Sequence, residues 1–227
     1  MQELLLSGLV GTLGFESEAA LRLTGALCLV AAYLIGSINF AVIFSRAFFH
    51  EDVREKGSGN AGSTNMLRNY GWKVAVLTLV CDALKAAIAT ALGLLLMPYA
   101  TGFAYVSGFF CLVGHAFPVF FHFRGGKSVA SLAGVILVLN PLLFGLLLVL
   151  FVLIIALFGY VSLGSIVCAL AFPVFNVIFP FWFSPVPPTA IVFSLLAAVL
   201  VVFLHRQNIG RLWRGEEPRF SLRGGKT

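Results

Sequence analysis

Charged side chains are scarce in this chain. Across 227 residues only 11% are Asp, Glu, Lys or Arg, while 60% are hydrophobic and the mean hydropathy is +1.01. Soluble domains carry roughly 25% charged residues. So few charges cannot clothe a globule in polar surface, so lipid is part of the solvent and the chain is one integral membrane unit. The four cysteines, Cys28, Cys81, Cys111 and Cys168, each lie alone in an apolar segment. That excludes Cys-x-x-Cys and Cys/His metal spacings and leaves buried small hydrophobes. Aspartate is limited to Asp52 and Asp82. Neither follows a histidine at His-x-x-x-x-Asp spacing, and a Ser-His-Asp triad lacks a well-placed acid. No carboxylate cluster suggests tightly held Mg²⁺, so neither metal nor cofactor is expected. Residues 1–22 lack the basic start of a secretory signal, and glutamates interrupt their apolar run. They read as an amino-terminal leader, with an interfacial position open to it.

What the chain does have is long apolar runs, at about 24–46, 74–97, 100–122, 163–183 and 188–205. A further run, 128–158, is too long for one upright span of roughly 20 residues. Asn140-Pro141 interrupts it, and proline removes a backbone donor and disfavours helix at the residue before it. Apart from Arg22, Arg46 and Lys85, the basic residues fall in three places. Arg54, Lys56, Arg68 and Lys73 lie in 47–73, Arg124 and Lys127 in 123–127, and six more after position 205. The connections near 98–100 and 184–187 carry no charge. The positive-inside rule puts the basic segments in the cytoplasm. One helix over 128–158 would export the basic tail, whereas a split at Asn140-Pro141 keeps every basic segment inside. The expectation is therefore an all-α membrane protein of seven helices, amino terminus outside and carboxyl terminus cytoplasmic. One segment, 128–140, is short, about 20 Å at 1.5 Å per residue. Residues 23–218 form a single polytopic domain and 219–227 a basic cytoplasmic tail.

That orientation gathers the polar clusters at one membrane face. In GSGNAGSTNMLRNYG, 57–71, the glycines let several backbone N–H groups turn toward one point, an anion nest. A helix is expected to start near Ser63–Asn65, whose side chains suit an N-cap and whose N–H groups extend the anion site. Gly57-x-x-x-x-Gly62-Ser63-Thr64 nearly reproduces a nucleotide P-loop, but serine stands where its lysine belongs. Phosphate binding fits and ATP does not; a flexible Gly/Ser linker would leave Asn60, Asn65 and Arg68 unexplained. In GHAFPVFFHFRGGKS, 114–128, Gly125 and Gly126 lift Lys127 at the boundary, where it can neutralise a phosphate or snorkel to headgroups. In HRQNIGRLWRGEEP, 205–218, His205, Asn208 and Arg211 share a helix face. Asp82 and Lys85, i and i+3 inside an apolar run, read as a structural pair. A site with abundant cations and amides but no obvious base suits substrates that bring their own phosphates.

Taken together, these residues resemble the bacterial acyl-phosphate:glycerol-3-phosphate acyltransferases. The likeness runs from about 33 to 217. It includes GSIxF (36–40), DxRxxGSGNxGxTNxLR (52–68), GHxFPxFxxFxGGK (114–127), YVSLGSI (160–166) and HxxNIxRLxxGxE (205–217). It implies a seven-helix enzyme of the bacterial cytoplasmic membrane with its site at the cytoplasmic face. The implied reaction joins the acyl group of acyl phosphate to glycerol 3-phosphate, releasing phosphate, as the first step of phospholipid synthesis. By motif position, Gly59, Asn60, Ala61, Gly62, Ser63 and Thr64 hold the acyl phosphate, with Ser165 a further contact. Ser58, Arg68, His205 and Asn208 hold glycerol 3-phosphate. Thr64 and Lys127 are the implied catalytic residues: Thr64, with backbone N–H groups, lies near the reacting carbonyl, and Lys127 bridges the phosphates. No protein base is implied, the substrate's own phosphate taking the hydroxyl proton. The implied partners are the two substrates and membrane lipid, with no nucleic acid and no obligate protein partner. The chain departs from the family pattern at Asn39, Ala41, Ala86, Ser128, Ser131 and Gly159. Two other readings compete. A carrier for a phosphorylated metabolite would place its site near the midplane, often between repeats. A structural membrane subunit would not need His205 and Asn208.

Overall fold

The computed structural model describes residues 17–97, 100–180 and 186–220, and these contain helices, turns and no strand. α1 (Glu18–Ser37) and α2 (Phe40–Phe49) come first, then a 3₁₀ turn (Val53–Glu55) and the short α3 (Ser63–Tyr70). α4 (Trp72–Leu96) and α5 (Ala100–Ala116) are long, and a second 3₁₀ turn (Val119–Phe121) leads toward α6 (Val129–Leu139). α7 (Pro141–Phe158), α8 (Val161–Ile178), α9 (Pro188–Leu204) and α10 (Arg206–Trp213) complete the order. The all-helical membrane architecture read from composition is what the chain adopts. α1 starts at Glu18, so the end of the 1–22 leader runs directly into it; residues 1–16 and 221–227 lie outside the described residues.

Five stretches are long and apolar enough to span a bilayer: Ala19–Phe49, Trp72–Leu96, Gly102–Phe121, Pro141–Phe158 and Val161–Ile178. Pro188–Leu204 with Arg206–Trp213, bent by 59°, makes a sixth. The seventh expected segment is a helix of 11 residues, too short for a full span by itself.

The break at Asn140-Pro141 is a built boundary. Asn140 Oδ1 accepts from Leu143 N–H (2.9 Å), capping α7, while its Nδ2 donates to the Phe179 carbonyl (2.8 Å). Pro141 occupies the first turn, where a missing N–H costs nothing. A second break was not expected. The run 24–46 divides at Ile38-Asn39, where Asn39 Oδ1 caps α2 through Val42 N–H (3.1 Å). Apart from Gly36 and Ser37 the flanking residues are apolar on both sides, so the long hydrophobic run masks it.

α1, α4, α5 and α6 pack together, and α7, α8 and α9 form a second layer joined through α5–α9 and α6–α7 contacts. Small residues set the closest crossings, as membrane helices require when lipid supplies no hydrophobic drive. A Cβ on Gly36 would lie 2.2 Å from the Cys111 carbonyl oxygen, and one on Gly134 would lie 2.0 Å from that of Ala83. The main core includes Ala86, Leu112, Val135, Leu143, Phe172 and Phe193, while a smaller one, with Val42, Val53, Ala61 and Met66, lies beneath the 57–62 loop. Leu157, Val149 and Val199 stay exposed on outer helix faces, where lipid is their solvent.

Candidate active site

The glycine loop is shaped by one side chain, Asn65. Its Oδ1 accepts from Ser58 N–H (3.0 Å) and from Asn69 Nδ2 (3.0 Å). Its Nδ2 donates to the carbonyls of Val53 (2.9 Å) and Lys56 (3.0 Å). The loop can follow because Gly57 (φ 56°) and Gly59 (φ 69°) take left-handed angles. The expected N-cap at Ser63–Asn65 is corrected: Gly62 caps α3, and no side chain closes that end. Ser63 and Thr64 are therefore first-turn residues whose N–H groups lack intrahelical acceptors.

The lysine turn folds back on the end of α5. Gly125 N–H donates to the Ala116 carbonyl (3.2 Å) and Gly126 N–H to that of His115 (3.1 Å). Any Cβ at 125 would meet the His115 carbonyl oxygen at 2.0 Å. Ser128, at φ 59°, then starts α6 and donates Oγ to the Leu112 carbonyl (2.8 Å). That left-handed angle is one that glycine adopts more readily than serine. The Asp52 and Arg54 pair clamps the glycine loop to this turn. Arg54 Nη2 lies 2.7 Å from Asp52 Oδ2, and Arg54 Nη1 donates to the carbonyls of Phe121 (2.8 Å) and Arg124 (3.2 Å). Hydrogen bonds from Arg54 hold the Asp52 carboxyl well below its ordinary range.

These elements meet the α9–α10 bend around one polar cavity of about 120 Å³. Ser58, Asn60, Gly62, Ser63, Thr64, Arg68, Lys127, Ser165, His205 and Asn208 all line it. Gly59 and Ala61 do not. Gly59 is an exposed turn residue, and Ala61 is fully buried beneath the loop, its carbonyl accepting from Asn39 Nδ2 (3.3 Å). Ser165 Oγ donates to the Val161 carbonyl (2.9 Å) on its own helix.

One chain of hydrogen bonds crosses the cavity wall. Lys127 Nζ donates to Asn208 Oδ1, Asn208 Nδ2 donates to Glu217 Oε1 (2.6 Å), and Arg211 Nε donates to Glu217 Oε2 (2.7 Å). Burial pushes the Lys127 ammonium down to about 8; Glu217 opposes this, while Arg211 and Arg68 add to it. Burial alone would raise the Glu217 carboxyl, but hydrogen bonds from Asn208 and Arg211 leave it below its usual value. Glu217 was not among the residues expected at the site, although it ends the HxxNIxRLxxGxE pattern. Gly215, at φ 70°, reverses the chain after α10 and returns it to Asn208. His205 Nδ1 donates to the Val201 carbonyl (2.8 Å), which leaves Nε2 without a partner among the described residues. Arg68 likewise has no hydrogen bond or ion pair among the described residues, and burial lowers its pKa. Among the described residues no group of three or more His, Cys, Asp or Glu is arranged to hold a metal ion.

An apolar groove of about 300 Å³ opens from the cavity between α4, α6, α7 and α8. Leu79, Val129, Ala130, Phe151 and Ser165 line both spaces, and the groove continues past Ala133 and Cys168 to Phe144 and Phe172.

A model of the glycerol-3-phosphate acyltransferase family matches residues 26–215. The chain belongs to the glycerol-3-phosphate acyltransferase family. Relatives of that name include one from Thermoanaerobacter sp. (strain X514), 44% identical over 88% of this chain and 96% of its own. Another, glycerol-3-phosphate acyltransferase 2 of Bacillus anthracis, is 41% identical over 85% of this chain and 97% of its own. Two crystal structures of the integral membrane acyltransferase PlsY share the fold. The glycerol 3-phosphate form has a TM-score of 0.80 at 31% identity, covering 87% of this chain and 96% of that one. The lysophosphatidic acid form has a TM-score of 0.77 at 30% identity, with the same coverage. This acyltransferase therefore shares sequence along most of its length, and the helical frame, with these relatives.

Proposed function

We propose that this acyltransferase takes its acyl group from acyl phosphate and transfers it to the 1-hydroxyl of glycerol 3-phosphate. The observation that carries this reading is the continuity of a cation-rich polar cavity with an apolar groove. A donor with a phosphate on a fatty chain matches both halves. Its chain lies along α6 and α8, and its phosphate lies at the start of α3, against the loop that carries Gly59 and Ala61. Thr64 and the free N–H groups of that helix start face the reacting carbonyl, where oxyanion charge develops. Ser58, Arg68, His205 and Asn208 receive glycerol 3-phosphate, and Lys127 bridges the two phosphates.

The glycerol oxygen attacks the acyl carbon, and the bond from that carbon to the phosphate oxygen breaks. Phosphate departs with the electron pair, and the product is 1-acylglycerol 3-phosphate. The hydroxyl proton passes to the phosphate of glycerol 3-phosphate itself. His205, protonated on Nδ1, can accept a hydrogen bond at Nε2 and orient a glycerol hydroxyl. Because the mixed anhydride already carries a good leaving group, catalysis reduces to placing the hydroxyl and stabilising charge.

The positive-inside argument supports seven membrane segments with the amino terminus outside. It also supports a site at the cytoplasmic face of the bacterial inner membrane. A carrier reading fits less well, since the glycine loop, the lysine turn and the α9–α10 bend bring most of the cavity's polar residues together at helix ends.

Purified protein given a defined acyl phosphate and glycerol 3-phosphate should release lysophosphatidate and phosphate in equal amounts. Activity should persist in excess EDTA. Use of acyl-CoA in place of acyl phosphate would overturn the donor assignment. Uptake of glycerol 3-phosphate into proteoliposomes without acylation would favour the carrier.

A further inference from the structure

A second opening, about 720 Å³, adjoins the polar cavity and shares Ser58, Thr64, Arg68 and Val161 with it. Arg211 and Arg219 line its far side, beyond the region covered by the family model in the case of Arg219. The strap Pro218–Phe220 that carries Arg219 is fixed across the α7–α8 turn. Phe220 N–H donates to the Gly159 carbonyl (2.7 Å). The Arg219 stem packs over Gly159, where a Cβ would lie 3.8 Å from its Cγ and Cδ. Its guanidinium lies 5.9 Å from the Tyr160 ring, within cation–π range. The head is thus held at the mouth by a neutral ring, with no carboxylate paired to it among the described residues.

The charge balance of this opening is one-sided. Arg211 shares Glu217 through Nε alone, and Arg68 and Arg219 have no acid partner among the described residues. The groove beside it is apolar and suits a lipid chain, so among the described residues this wider, arginine-lined mouth is a lower-cost approach for a charged ligand than the groove.

We propose that Arg68, Arg211 and Arg219 form an outer subsite that captures a phosphate monoester dianion before it reaches Lys127. It rests on the proposed acyl-phosphate reading, because the monoester it serves there is glycerol 3-phosphate. Guanidinium forks match phosphate oxygens in pairs, and an uncompensated cluster at a cleft mouth raises the local concentration of anions. Steering of this kind weakens as salt shortens the screening length.

The test is Arg219→Gln, with Arg219→Lys beside it, in purified full-length protein. In neutral detergent at low salt, Arg219→Gln should lower kcat/KM for glycerol 3-phosphate about tenfold. The loss should be carried by KM, and the dependence on ionic strength should flatten. Arg219→Lys should keep the salt dependence. Calorimetric titration with inorganic phosphate should show correspondingly weaker binding to Arg219→Gln. A wild-type salt slope with unchanged phosphate binding would overturn the subsite, as would an equal loss with acyl phosphate as the varied substrate. Repeating the measurements in phosphatidylcholine and phosphatidylglycerol nanodiscs separates two sources of the phosphate. An Arg219 effect confined to phosphatidylglycerol would make the ligand a lipid headgroup and overturn the proposal. Arg219-dependent phosphate binding by a protein that makes no lysophosphatidate would sink the donor reading while leaving the subsite standing.

Discussion

His115 Nε2 lies so close to Gly126 that a Cβ at position 126 would sit 2.2 Å from it and 2.7 Å from the Ala61 carbonyl oxygen. The imidazole itself cannot retreat. Its Nδ1 is 3.0 Å from Lys85 Nζ, which forms an ion pair with Asp82 at 2.9 Å, and all three side chains are buried. Lys85 also donates to the Ile38 carbonyl at the α1–α2 break. The lysine turn therefore rests on a buried network tied to α4 and to that break. Asp82 and Lys85, read from sequence as a structural pair, also support the site.

Gly126→Ala should consequently displace Lys127. A shift of about 1 Å costs roughly 10²-fold in rate. The loss should appear in kcat, with the protein still inserted and monodisperse. Gly145→Ala is the control, since nothing lies within 4 Å of a Cβ there. Equal activity of the two variants in an acyl-transfer assay would show that the turn tolerates movement.

The Lys127 ammonium, lowered by burial to about 8, sets an alkaline limit. Below that pH it is charged and can neutralise a phosphate; above it, it is a neutral amine that cannot. The kcat/KM profile should fall as pH rises through about 8, a limb belonging to the free enzyme. Lys127→Arg should remove the limb, because guanidinium does not titrate there, yet restore little rate, since a planar fork does not replace a compact charge. Lys127→Ala should lower kcat by roughly 10²-fold or more if it removes about 3 kcal/mol of transition-state stabilisation. A limb that survives Lys127→Arg would have to come from another group.

Much of this was legible in the sequence because polar residues in lipid-facing runs are costly and therefore stand out. Asn140-Pro141 marked a helix boundary by backbone chemistry alone, and the basic segments marked one end of the bundle. What escaped were contacts made by chain reversal. Glu217 follows Asn208 by nine positions and lies beyond α10; only the turn at Gly215 brings its carboxylate within 2.6 Å of the Asn208 amide. Asn39 escaped because its cap lies within a long and mostly apolar run. Arg219 looked like one more tail charge until the strap placed it over Gly159.

Asn208 separates Lys127 from Glu217, so its loss should be felt beyond the acceptor. In Asn208→Ala the Glu217 carboxylate loses a donor while an ammonium stands nearby. Direct pairing of Glu217 with Lys127 would raise the lysine's pKa and withdraw its charge from phosphate. The expected outcome is a lower kcat, a raised KM for glycerol 3-phosphate and an alkaline limb moved to higher pH. Steady-state kinetics across pH with each substrate varied in turn would measure all three. An unmoved limb would mean that Glu217 stays with Arg211 when the amide is gone.

The orientation makes its own prediction, and exposed positions allow it to be tested without straining the glycine loop. Lys56, Arg124 and Arg214 are exposed at the end of the bundle that carries the polar cavity. Ser17 and Thr189 are exposed at the starts of α1 and α9, the opposite end. Single cysteines at these five positions, in a background lacking the native four, give a two-sided readout. The bilayer interior excludes a charged maleimide, so only outward positions can react in intact cells. Ser17→Cys and Thr189→Cys should label there, whereas Lys56→Cys, Arg124→Cys and Arg214→Cys should label only in inverted vesicles. Even one cavity-end cysteine reacting from outside would break the assignment, because the positive-inside argument moves all three basic segments together. Charge bias orients the short 11-residue α6 only through its neighbours, so the Arg124 and Thr189 results together decide whether 128–158 crosses once or returns to the side on which it began.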